Sequence, residues 1–187
     1  MTDGGIAKRA TGIDGLDQAT HGGLPAAGTT LVMGAPGAGK TVLGLQILAN
    51  AAAQGEAGVL ASFEEAPDQL RANAGTFAWG GRIADSARVA VLDARPQRDA
   101  DHSGRFDLQG LIALLGAQAD RLGASWVVLD GIDRLLRFEP NEETAVSELQ
   151  RLDDWAREKG LSLLVTAKQT APDDRTAAHL AGIEFML

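Results

Sequence analysis

Residues 34–41 read Gly-Ala-Pro-Gly-Ala-Gly-Lys-Thr: a glycine, four residues, then Gly39, Lys40 and Thr41. This is the spacing of a phosphate-binding P-loop. Glycines let the backbone close around a phosphate chain with no side chain in the way. The loop amides and the N-terminus of the following helix then face the anion. Gly34, Ala35, Pro36, Gly37, Ala38, Gly39, Lys40, Thr41 and Val42 are therefore the candidate nucleotide-binding residues. Lys40 is placed to reach the β- and γ-phosphates, and the Thr41 hydroxyl to take a position in a magnesium shell. The flanks agree with this reading. Thr29-Thr30-Leu31-Val32-Met33 leans to strand, and residues 41–54 are apolar and glycine-poor, as a buried helix would be.

The rest of the chain alternates in the same way. Strands are expected at 29–33, 58–63, 88–93, 125–130 and 161–167, and helices at 40–54, 67–77, 107–122 and 142–159. Leu108, Leu111, Ile112, Leu115, Ala119 and Leu122 recur at helical spacing, as do Val146, Leu149, Leu152 and Ala156. Both stripes are read as core-facing. The strands are continuously apolar rather than alternating, which suits a parallel sheet covered on both faces. The fold class is α/β, a mostly parallel sheet with helices on both sides, and 1–187 is read as one domain. Residues 94–106, broken by Pro96 and Gly104, are expected to be a long surface loop.

Composition narrows the function classes. A net charge of −8 argues against nucleic acid, whose binding draws on a basic footprint. Arg134 and Arg137 are read as an ordinary solvated edge. The absence of cysteine excludes disulfides and thiolate metal sites and fits a cytoplasmic location. His21, His102 and His179 are scattered, so no zinc or iron site is expected. No apolar run approaches a membrane span.

Two further positions carry chemistry. Val127-Val128-Leu129-Asp130 is an apolar strand ending in an acid, and Asp130 is read with Thr41 as a magnesium anchor. Ser62-Phe63-Glu64-Glu65 puts two acids at the end of the strand after the P-loop helix, on the sheet edge where ligands bind. A carboxylate there can orient and deprotonate water. Equally, acids just before Pro67 can simply favour a helix start, and spacing leaves both readings open.

Taken together, these residues resemble the KaiC branch of the RecA-like ATPases. The likeness rests first on Thr11-Gly12-Ile13-Asp14-Gly15-Leu16-Asp17, on His21-Gly22-Gly23-Leu24-Pro25, and on the P-loop. Ser62-Phe63-Glu64-Glu65, Phe106-Asp107-Leu108, the strand ending at Asp130 and Ala181-Gly182-Ile183-Glu184-Phe185 follow in family order. The resemblance implies a RecA-like core, Mg-dependent ATP hydrolysis between subunits, a hexameric homo-oligomer and an unidentified signalling partner. It implies catalytic roles for Lys40, for Glu64 in activating water, and for Glu65 in supporting it. By the same comparison the family's domain continues past Leu187 into further strands and a basic segment that reaches the neighbour's nucleotide. Lys8 and Arg9, ahead of the Thr11 opening, are read as a mobile arm rather than a substitute for that segment. Only Ser103 stands where clock proteins carry an adjacent serine–threonine pair, so the resemblance does not extend to autophosphorylation. The rival readings are a RadA-like DNA-dependent ATPase and a nucleotide-gated interaction module with negligible turnover.

Overall fold

Each apolar run expected to be extended forms a strand, and the stripes between them form helices. The structure, a computed structural model, describes residues 7–84, 87–96, 108–136 and 142–168. Among them the strands are β1 (Lys8–Arg9), β2 (Leu24–Pro25), β3 (Gly28–Gly34), β4 (Ala57–Ser62), β5 (Val89–Asp93), β6 (Ala124–Asp130) and β7 (Ser162–Lys168). The helices are α1 (Asp14–Ala19), α2 (Lys40–Ala53), α3 (Pro67–Ala74), α4 (Gly81–Ala84), α5 (Leu108–Leu122), α6 (Asp133–Leu136) and α7 (Glu142–Lys159).

The main sheet is wholly parallel, in the order β3-β7-β6-β4-β5. From β3 the chain passes outward to β4 and then β5, with α2, α3 and α4 on one face. It returns through β6 and β7 with α5 and α7 on the other. Reversing the direction of travel while keeping crossovers right-handed forces this change of face. Side chains along β6 serve the two cores alternately: Val127 and Leu129 pack toward α5 and α7, Trp126 and Val128 toward α2. Both faces are thus buried, and every strand can be apolar throughout. Helix α2 lies unusually close to the sheet. A Cβ on Gly44 would come within 2.9 Å of Val128 Cγ1, and one on Gly58 within 2.4 Å of Leu48 Cδ2.

The structure departs from the sequence expectations in places. Helix α3 stops at Ala74 instead of 77, where Gly75 ends the run and the Thr76 hydroxyl turns back onto the Asn73 carbonyl at 2.7 Å. The short elements β1, β2, α1, α4 and α6 were not expected. Lys8 and Arg9 are not a mobile arm. They form β1, paired antiparallel with β2, and their heads are spent on the fold: Lys8 Nζ donates to the Thr20 carbonyl, and Arg9 to the Ser125 carbonyl and to Ser162 Oγ. Arg9 also lies over the Trp126 ring. Ser125 is the second residue of β6 and Ser162 the first of β7, so Arg9 is anchored at the sheet end opposite the P-loop. Of the expected 94–106 loop, residues 97–106 lie outside the described residues, as do Asp107, Arg137, His102, His179, Ser103 and Ala181 to Phe185.

The opening motif has a structural explanation. The Asp17 carboxylate accepts from Thr11 N at 2.8 Å, Thr11 Oγ1 at 2.7 Å and Gly12 N at 3.0 Å. Asn50 of α2 donates to the Thr11 and Gly12 carbonyls at 3.2 and 2.8 Å. His21, Gly22 and Gly23 all have positive φ, and at Gly23 a Cβ would fall 2.0 Å from the Arg9 carbonyl oxygen. The turn that brings β2 back along β1 therefore has no room for a side chain there.

Candidate functional site

In a parallel sheet the carboxyl ends of the strands form one edge, and ligands bind beyond it. At that edge β3 runs into the P-loop. Gly37 and Gly39 adopt φ of 81° and 87°, the left-handed conformation that glycine takes without strain. No side chain caps the α2 N-terminus, where the first-turn amides lack partners within the helix. Ala35 to Gly39 are exposed, so the concave loop is open to an anion. Lys40 Nζ donates to the carbonyls of Gly34 at 2.7 Å and Ala35 at 3.0 Å, which folds the lysine back across its own loop.

The central strands present their polar ends in register: Ser62 beside Asp130, and Asp130 beside Thr166. Asp130 is 2% exposed. Thr41 Oγ1 lies 3.1 Å from both of its carboxylate oxygens, and Thr166 Oγ1 donates to Oδ1 at 2.8 Å. Gly131 N in turn donates to Thr166 Oγ1 at 3.0 Å. Burial raises the Asp130 pKa. The Thr166 and Thr41 bonds oppose the rise, the nearby Glu64 charge adds to it, and Lys40 opposes it. The pair fits magnesium chemically. A carboxylate and a hydroxyl are hard oxygen donors, already adjacent at the mouth of the phosphate loop, and magnesium in such sites takes few protein ligands.

The paired glutamates point to different partners. Their amides lie over Ser62 Oγ, Glu64 N at 3.3 Å and Glu65 N at 3.0 Å. Glu65 Oε2 accepts from Asn73 of α3 at 2.9 Å. The Glu64 side chain, 17% exposed, instead crosses toward β7, where Oε1 accepts from Lys168 Nζ and from Arg134 Nε, the latter at 3.2 Å. Burial acts to raise the Glu64 pKa, but the bonds and charges of Lys168 and then Arg134 outweigh it, so the group is held below its usual range. Arg134, read from the sequence as a solvated edge, is half exposed yet bonded to a candidate catalytic group. Asp133 Oδ1 accepts from Lys168 N at 3.1 Å and fixes the backbone where that lysine projects.

The structure therefore brings Gly34 to Val42, Asp130, Glu64 and Glu65 to one edge, with Glu65 turned to α3. The sequence reading missed Thr166, Gly131, Arg134 and Lys168. The available signal was the polar end of an otherwise apolar strand, Thr166-Ala167-Lys168, at the side-chain period of two. No group of three or more His, Asp or Glu side chains suited to a metal occurs among the described residues.

Comparison with known proteins follows the same lines. The chain matches the ATPase family KaiC over residues 9–185. It is 32% identical over 167 residues to the circadian clock protein KaiC2 of Synechocystis sp., covering 88% of this chain and 29% of that protein. It is 34% identical over 182 residues to the circadian clock oscillator protein KaiC of Prochlorococcus marinus subsp. pastoris, covering 96% and 35%. With the circadian clock oscillator protein KaiC of Nostoc sp. it shares 35% over 171 residues, covering 89% and 33%. The chain spans about a third of the length of the curated relatives it matches.

Proposed function

The chain belongs to the KaiC family of ATPases, and on that premise we propose that it binds ATP with magnesium, hydrolyses it slowly, and couples nucleotide state to self-assembly or to a signalling partner. The observation that carries the reading is the meeting, at one sheet edge, of an open P-loop, the Thr41–Asp130 pair and the Glu64 carboxylate bonded to Lys168 and Arg134.

Loop amides and the α2 N-terminus cradle the phosphates, and Lys40 exchanges its Gly34 and Ala35 carbonyl partners for phosphate oxygens. Thr41 and Asp130 would hold magnesium, which when bound supplies neutralisation of phosphate charge. Glu64 orients a water in line with the γ-phosphorus. As the water oxygen bonds to phosphorus, the bond to the leaving ADP oxygen breaks and Glu64 takes the water's proton, later returned to solvent. Glu65, tied to Asn73, steadies the turn that carries Glu64. No helix among the described residues is long and apolar enough to cross a membrane.

The test is Glu64→Gln, alone and with Glu65→Gln, assayed with radiolabelled ATP. The amide keeps the shape and cannot accept the proton. Binding should survive within a few-fold while turnover falls about a hundredfold or more, the range of general-base contributions. Full turnover in the double variant would remove both residues from the mechanism.

A further inference from the structure

One carboxylate oxygen at the sheet edge receives two cations. Glu64 Oε1 accepts from Lys168 Nζ and from Arg134 Nε. The two are not equivalent: the Lys168 side chain is 29% exposed, Arg134 51%. The lysine's backbone is also firmly held. Lys168 is the last residue of β7, its Cα sits in register with Gly34 of the P-loop strand, and its amide is held by the buried Asp133.

Glu64 follows β4, and Lys168 ends β7. Between them runs β6, so the pair must pass over its end. Gly131 is what they pass over. A Cβ there would lie 2.7 Å from Glu64 Cγ, closer than real Cβ contacts come, and 3.1 Å from Cδ, and the residue has φ of 83°. A missing side chain just past the end of one strand thus opens the path by which a carboxylate just past the end of a second reaches an ammonium on the last residue of a third. Lys168 contacts neither Asp130 nor Thr41 in any described bond. Its side chain meets the site through Glu64.

We propose that Lys168 is a positioning residue for ATP hydrolysis, which, across the gap left by Gly131, pins the Glu64 carboxylate by Oε1 and leaves Oε2 to meet the attacking water. The inference rests on the assignment of Glu64 as the group that receives the water's proton. It adds a cation supplied in cis, beside the phosphate loop, that acts on the base and not on the nucleotide.

The experiment is a double-mutant cycle on the whole chain: Lys168→Met, Lys168→Arg and Glu64→Gln, with Lys168→Met also built on Glu64→Gln. Single-turnover phosphate release from radiolabelled ATP gives the rate, and titration with fluorescent ADP gives affinity. Lys168→Met should lower the rate about tenfold to a hundredfold, part of a general base's contribution, and leave ADP affinity within about twofold, since no phosphate contact is lost. Lys168→Arg should restore most of the rate. On the Glu64→Gln background, Lys168→Met should change the rate by less than about twofold, because residues acting as a unit are not additive. Gly131→Ala would strain a backbone at φ 83° as well as crowd Glu64, so Lys168→Gln, which removes the charge and keeps a polar side chain, is the second variant; it should reproduce the loss and keeps the test open if Lys168→Met folds poorly. An unchanged rate in Lys168→Met, or an equal loss with and without Glu64→Gln, would overturn the proposal. Turnover in the unsubstituted chain that survives Glu64→Gln would instead overturn the assignment of Glu64, and absence of any turnover the ATPase reading itself.

Discussion

Asp130 shows how a candidate metal-binding residue weighs on the fold that carries it. Its carboxylate is buried, and its pKa is raised above 3.8, chiefly by desolvation. The folded state therefore binds its proton more tightly than the unfolded state does. By linkage, its contribution to stability falls as pH rises from the unfolded value through the raised folded one, and at neutral pH the ionised form is a net cost. Asp130→Asn removes that charge while keeping an oxygen to accept from Thr166 and an amide to face Thr41. Free of nucleotide, this variant should melt at a higher temperature than the parent at pH 7, with the gap closing in acid below the raised pKa, while ATP turnover is lost. Thermal unfolding followed by circular dichroism across pH, beside a phosphate-release assay, checks both halves; a lower melting temperature at pH 7 would refute that net cost. Lys40 makes a simpler case. Its carbonyl partners are exposed or half-buried loop atoms that water can satisfy, so Lys40→Ala should fold normally. It should lose about ten- to hundredfold in ATP affinity, the worth of a bond to a charged group, as read by calorimetric titration.

At the scale of elements, what was legible in the sequence were the features that repeat. Apolar runs gave the main-sheet strands to within a residue or so at each end, and the 3.6-residue stripes gave α5 and α7, because burial on both faces of a sheet leaves a periodic trace. The P-loop and the acid at the end of β6 were legible because their chemistry fixes spacing. What stayed hidden were long-range side-chain partners. Nothing local to Lys168 announces Glu64, 104 residues away in sequence; strand order alone makes them neighbours. Lys8 and Arg9 misled for the same reason, since their partners Thr20, Ser125 and Ser162 lie elsewhere in the chain. The opening motif is a tether of this kind, in which Asp17 and Asn50 bind the Thr11–Gly12 turn to the P-loop helix. Asp17→Ala strands two amides and a hydroxyl. It should cost about 2–3 kcal/mol, allowing for partial solvation of the freed groups, measured as a shift in urea midpoint at constant slope. Because the tether meets α2 at its far end from Lys40, ADP affinity should stay within about twofold.

For the whole molecule, charge and an open site set the terms of its interactions. The chain carries −8, and among the described residues its basic heads are largely paired with acids or carbonyls of the same chain. Single- or double-stranded DNA should therefore neither bind below micromolar at physiological salt nor raise turnover. The same pairing bears on catalysis. Lys168 and Arg134 are spent on Glu64, which leaves Lys40 as the P-loop's own cation. A triphosphate carries more negative charge than one lysine and one divalent ion neutralise, and the charge shifts during transfer. The exposed run Ala35 to Gly39 leaves a side of the phosphate site uncovered by the described residues. A second copy bringing a cation to that side would supply the missing charge, and such a group in trans is worth about a thousandfold or more in phosphoryl transfer. We therefore expect turnover per chain to rise with protein concentration, in step with a rise in native mass in the presence of MgATP. Mass photometry and phosphate release measured on the same dilution series decide the matter. Turnover per chain that stays flat while the protein passes from monomer to oligomer would show that the site draws no charge from a neighbour.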